Sequence, residues 1–218
     1  MKRSALLTLT CLAFVLMASP ARATVIYTLT IDHCTGGCGT SPFGTITINN
    51  NGANSVTIDI ALNNGNQFVQ TGQPGSTVAF NSLDNQTISL FSSSLPGWSI
   101  DTPSPGSYMA DGFGTFQYSL NCCNSMQGGG NAQTGPVHLV LNGTGLDETD
   151  FAELSTGGSP SAFFAVDILS GQTGFTGFVG TNTPGTGTGG SVPEPATMLL
   201  VGLGVTAAGR RMRRRRAA

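Results

Sequence analysis

Between residues 24 and 192 the side chains whose types can do chemistry are few: four cysteines, two histidines and ten acids. Cys34 and Cys38 bracket Thr-Gly-Gly, and Cys122 and Cys123 are adjacent. An even number of cysteines in an oxidising compartment reads first as two disulfides. A local Cys34–Cys38 loop is feasible but leaves Cys122–Cys123 as a strained vicinal bridge. Unstrained geometry therefore favours crossed pairing, closing loops of about 85–90 residues, and leaves both crossed connectivities open. The competing use of these sulfurs is a metal site completed by His33. Adjacent cysteines cannot easily both reach one tetrahedral centre, so no metal and no cofactor is expected.

Catalytic spacing is missing. The chain has no Gly-x-Ser-x-Gly elbow, no His-Glu-x-x-His and no phosphate-cradling Gly-Lys-Ser/Thr. Asp59, Asp84, Asp101 and Asp111 are scattered acids from which a glycosidase pair can be assembled only arbitrarily, so no catalytic residue is assigned. Asp147, Glu148 and Asp150 offer oxygen ligands to Ca²⁺, but without EF-hand spacing their expected role is helix capping. His138 alternates with Val137 and Leu139 and falls on the outer side of its segment. Trp98 in "SLPGWSID" and Tyr108 in "SPGSYMADG" sit in loop-like contexts. There an aromatic ring can stack on a sugar, although core filling is the commoner fate of a lone Trp.

The elements that must position these residues are strands. In "TVIYTLTID" Val25, Tyr27, Leu29 and Ile31 share one face; "GTITIN" and "SVTIDIAL" repeat the alternation. "TVAFN", "TISLF", "GTFQYSL" and "PVHLVLN" continue it, while "SAFFAVDIL" and "GFTGFVG" are apolar on both faces, as central or covered strands are. Asn49-Asn50-Asn51-Gly52 lies between two alternating runs and predicts a hairpin. Only "LDETDFAEL" reads as helix, with Asp147 placed to cap it. The expected fold is all-β: an antiparallel, jelly-roll-like β-sandwich with one short helix, spanning 24–180. The segment 181–192, "TNTPGTGTGGSV", is Gly, Thr and Pro almost throughout and reads as a linker.

Charge is segregated along the chain. All nine Lys and Arg residues lie at the ends, and ten of the eleven acids lie in 24–192, so the body alone carries −10. Such a body repels nucleic acid and anionic lipid. Lys2 and Arg3, then an apolar stretch, then Ala21-Arg22-Ala23 form the three parts of a secretory signal peptide over 1–23, with cleavage before Thr24. At the other end Ala196–Gly209 is apolar or small and leads directly into Arg210, Arg211, Arg213, Arg214, Arg215 and Arg216. Fourteen residues fall short of the ~20 that span a bilayer, a mismatch that snorkelling arginines relieve. The cluster is read as a stop that stays cytoplasmic behind a C-terminal transmembrane helix.

Pro193-Glu194-Pro195, the apolar segment and the arginine cluster, in that order at 193–218, resemble the PEP-CTERM sorting signal of Gram-negative bacteria. The resemblance implies that Pro193, Glu194 and Pro195 are recognised by exosortase, a membrane-embedded protease-transpeptidase. It also implies an exported protein, held briefly at the inner membrane and released to the cell surface or the extracellular matrix. Its surroundings are then extracellular polysaccharide or biofilm. More loosely, "FGTFQYSLNCC", "LDETDFAEL" and "FFAVDI" with "TGFVG" resemble PEP-CTERM-tagged sandwich proteins of unassigned function. A sorting tag names no activity. The expected role is structural or adhesive, with carbohydrate binding the alternative and a glycan-active enzyme the next.

Overall fold

A computed structural model describes residues 23–71, 76–84, 86–101, 108–123 and 130–187. The signal peptide up to Arg22, the sorting motif, the apolar C-terminal segment and the arginine cluster lie outside the described residues. The strands are β1 (Thr24–Leu29), β2 (Ile31–Asp32), β3 (Gly44–Gly52), β4 (Ser55–Leu62), β5 (Gln67–Phe68), β6 (Val78–Phe80), β7 (Ser89–Ser93) and β8 (Ser99–Asp101). They continue as β9 (Tyr108–Ala110), β10 (Gly114–Phe116), β11 (Tyr118–Asn121), β12 (Val137–Asn142), β13 (Thr156–Gly157), β14 (Phe164–Leu169), β15 (Thr176–Thr181) and β16 (Thr186–Gly187).

Among the described residues every strand pairing is antiparallel, and the strands form three sheets. One has the order β16-β1-β3-β4-β12-β7, a second β2-β15-β14-β6-β11-β8 with β5 added against β14, and a small third β13-β10-β9. Period-two alternation explains the first. Ile46, Ile48, Val56, Ile58, Ile60, Leu139 and Leu141 point inward and are buried. Thr45, Thr47, Thr57, Asp59 and His138 alternate with them. Those apolar residues meet Val78, Phe80, Leu120, Val166 and Ile168 of the second sheet in the main core. At about 1.5–3 kcal/mol for each fully buried side chain of this size, that layer supplies most of the drive to fold.

The other face of the second sheet is covered too. Ala79, Ala165 and Phe178 pack there against Ala110, Phe113 and Phe116 of the β9–β10 hairpin, making a second, smaller core. β14 is therefore enclosed on both sides, which is why "FAVDI" is buried at every position. The sandwich predicted by alternation is present, with this third layer in addition.

Three local readings change. The run 24–32 is not one strand: at Thr30, whose N–H donates to the Gly180 carbonyl, the chain leaves the first sheet for the second. Leu29 then faces the main core and Ile31 the smaller one. "GTFQYSL" likewise breaks at Gln117, whose N–H donates to the Asn81 side-chain Oδ1, so Phe116 and Tyr118 serve different cores. No helix forms among the described residues. "LDETDFAEL" makes only i→i+3 contacts, Asp150 N–H to the Asp147 carbonyl and Ala152 N–H to the Thr149 carbonyl. Without a helix to cap, Asp147 instead closes a local turn, its Oδ1 accepting the Thr149 N–H at 2.8 Å. A single turn this short has no helix nucleus of its own, and Phe151 is drawn instead into the main core. The linker also starts later than its composition suggests: Thr181 ends β15, and Val25 pairs with Gly187.

Candidate functional site

The disulfides are local. Cys34 joins Cys38 with Cα atoms 5.5 Å apart, and Cys122 joins Cys123 at 3.7 Å. The crossed pairing favoured on geometric grounds is thereby corrected, and the sheet order gives the reason. Cys34 and Cys38 follow β2, Cys122 and Cys123 follow β11, and β15, β14 and β6 lie between. Four strand spacings are about 19 Å, far beyond the ~7 Å that a disulfide tolerates between Cα atoms. The vicinal pair is accommodated by a positive φ of 55° at Cys123.

Asp32 organises the first loop. Its two carboxylate oxygens accept the N–H groups of Cys34 and Cys38 at 2.8 and 2.7 Å. Asp32, Cys34 and Cys38 are also the group of acids and sulfurs, among the described residues, whose ligand atoms lie within 4.8 Å of one another. With both sulfurs bonded together and both oxygens on backbone donors, the arrangement closes a loop rather than opening a coordination site. His33 does not join it; its ring stands edge-on to Phe113, centroids 4.5 Å apart.

Several of the acids are engaged by separate local partners. Asp59 meets His138 Nδ1 across β4 and β12 and accepts Asn49 Nδ2 at 2.9 Å, and Asn49 Oδ1 in turn accepts the Thr24 hydroxyl at 2.8 Å. His138 thus lies on the exposed outer face, as alternation predicts. Asp101 accepts Asn121 Nδ2 at 2.7 Å. Glu148 accepts Asn50 Nδ2 at 2.6 Å, and Asp150 accepts the Asp147 N–H at 2.8 Å and Gln86 Nε2 at 3.1 Å. These bonds pin a turn with neutral donors. Asp167, fully buried on β14, differs: burial pushes its carboxyl up to about 7, against the lowering effect of two hydrogen bonds from Thr71.

The aromatic candidates part ways. Trp98 is only 9 % exposed, edge-on to Phe68 with centroids 5.4 Å apart, its Nε1–H donating to Gln133 Oε1 at 3.1 Å. It is a core residue, and the sugar-platform reading of Trp98 is corrected accordingly. Tyr108 is half-buried on β9, its hydroxyl held above the usual range first by burial and then by the charge of Asp101.

The sequence reading passed over Phe91. This ring is 73 % exposed on the edge strand β7, where a bulge shifts the register against Val140 and Leu141. A signal was available, since Ile88 and Leu90 on the inner side put Phe91 on the other. Two residues back along β7, Ser89 begins a hollow of about 510 Å³ whose polar lining is Asn54, Ser55, Thr87, Ser89, Asn142 and Thr144. Ser55, Asn142 and Ser89 are register partners on three adjacent strands, so their side chains project on one face. Asn54, at φ 73°, is fixed there by its Oδ1 accepting the Gly145 N–H at 2.6 Å.

No curated protein and no solved structure matches the chain. The C-terminal end does find a match: residues 191–216 fit the PEP-CTERM protein-sorting motif. They contain Pro193, Glu194 and Pro195 followed by the apolar segment and all six arginines. The chain therefore carries a PEP-CTERM sorting signal and is an exported exosortase substrate, anchored in the membrane transiently before sorting to the cell surface.

Proposed function

We propose that the sorted protein is a structural or adhesive component of the extracellular polysaccharide or biofilm matrix, and that its domain is not a catalyst. The observation that carries this reading is the sorting motif at 191–216 joined to a domain with no Lys or Arg from residue 23 to 209. A cation-free surface gains nothing from anionic polymers and leaves uncharged hydroxyl-rich chains as the natural neighbours. The outer face of the first sheet suits such neighbours, presenting Thr28, Thr45, Thr47, Asn49 and Thr57 beside the His138–Asp59 hydrogen bond. The domain's acids also favour scaffolding over glycoside hydrolysis, since Asp32, Asp59 and Asp101 are each tied to a separate local partner.

The test is fractionation of the producing bacterium with and without its exopolysaccharide. The mature protein is expected in the matrix fraction of the polysaccharide-producing strain and in the free medium of the deficient strain. Mass spectrometry should find it without residues 1–23 and without the arginine cluster. Equal distribution in both strains would refute the matrix role.

A further inference from the structure

The hollow beside β7 is an open, shallow, mostly polar depression with no structural use that the fold reveals. Its polar lining consists of four hydroxyls and two amides, without a charged group. Two of the six are committed: the Ser89 hydroxyl donates to the Asn142 carbonyl at 3.3 Å, and Asn54 Oδ1 accepts from Gly145. The side chains of Ser55, Thr87, Asn142 and Thr144 take no hydrogen-bond partner among the described residues. The Asn54 carbonyl accepts the Gly143 N–H at 3.1 Å, so the floor of the hollow is braced between the β3–β4 turn and the end of β12.

Phe91 supplies the second half. It is the unpaired residue of the bulge, two positions along β7 from Ser89, so its ring stands beside the hollow rather than lining it. The inner neighbour Leu90 packs against the main core, whereas Phe91 is the most exposed of the large apolar side chains of the described residues. An exposed aromatic ring next to uncommitted hydroxyls and amides matches the two surfaces of a pyranose, whose C–H face stacks while its rim hydroxyls pair.

We propose that the hollow lined by Ser55, Thr87, Ser89, Asn142 and Thr144, with Phe91 as its stacking platform, binds a segment of an uncharged polysaccharide. The proposal rests on the matrix role and names its contact surface. Charge decides the class of glycan. Uronate, sulfate or phosphate would enter a site without a cation, on a domain of charge −10, and lose hydration without compensation.

Affinity electrophoresis of the mature exported protein through gels containing a neutral β-glucan, a mannan, a galactan or a polyuronate tests it. Retardation is expected in at least one neutral gel and not in polyuronate. Phe91→Ala and Asn142→Ala should each weaken it by roughly tenfold with thermal stability unchanged, and Phe91→Tyr should retain it. No retardation in any neutral gel, equal retardation in polyuronate, or wild-type behaviour of both alanine variants overturns the site. The two readings fail separately. Matrix retention that survives Phe91→Ala leaves the matrix role standing without this site. Phe91-dependent binding by a protein that never enters the matrix leaves the site standing without the role.

Discussion

Asp167 holds Thr71 by both its backbone N–H and its hydroxyl, each 2.6 Å from the same carboxylate oxygen, while the other oxygen has no partner. A carboxyl so buried keeps its proton up to about pH 7 in the folded domain, against 3.8 ordinarily. Between those values the unfolded chain has released a proton that the native state retains, so stability falls as pH rises. The contribution is fully present below about pH 4 and gone above about pH 7, a swing of at most about 4 kcal/mol. Thermal unfolding followed from pH 4 to pH 8 should show a declining midpoint, and Asp167→Asn should flatten the decline. A midpoint that rises over this window would contradict the burial argument.

Peptide mapping without reduction should place each disulfide inside a single peptide. The body has no Lys or Arg for trypsin to cut, so cleavage after aromatic residues is the practical route. A peptide linking the 34–38 region to the 122–123 region would overturn the local pairing. Replacing Cys34 and Cys38 by serine closes no long loop in reverse: the chain-entropy relation gives a loss of about 2 kcal/mol for so short a ring, less than half that of a crossed bridge.

Trp98 and Phe91 should respond oppositely to truncation. Trp98→Ala empties part of the main core and is expected to cost about 3–5 kcal/mol. Phe91→Ala removes an exposed ring and is expected to change stability by less than about 0.5 kcal/mol. Denaturant titration of both variants reads this directly. A larger loss at Phe91 than at Trp98 would reverse the assignment of which ring faces solvent.

Much of the sandwich could be read from alternation because one face of the first sheet is wet. Ile46, Ile48, Ile58 and Ile60 leave an unambiguous inner stripe. Legibility failed where a run crosses between layers. Leu29 and Ile31 have the same parity yet serve two cores, and periodicity carries no mark for the corner at Thr30. The third layer was hidden for the same reason: a face covered by a small hairpin looks in sequence like any buried strand. For the site, His138 was placed outward correctly. Trp98 takes the core place that a lone Trp most often takes rather than the alternative of a platform, a choice loop composition alone does not make, and Phe91 sits unmarked inside a segment that reads as strand.

Gly185 should prove intolerant of a side chain. A Cβ there would sit 2.3 Å from Val25 Cγ1 and within 3 Å of the Tyr27 ring. Gly185→Val is expected to lift β16 from β1 with a loss of about 1–3 kcal/mol. Hydrogen exchange should show faster exchange confined to the strand pair around Val25 and Ile26. Unchanged protection there would mean that β16 docks without Gly185.

The pairing of Val25 with Gly187 brings the beginning and the end of the folded domain to one seam. Whatever the C-terminal side is joined to after sorting, a pull on it reaches a two-residue strand before any other part of the sheet. Under tension the domain would yield first at its hem. The remaining pairings, six residues long between β1 and β3, would still hold the fabric.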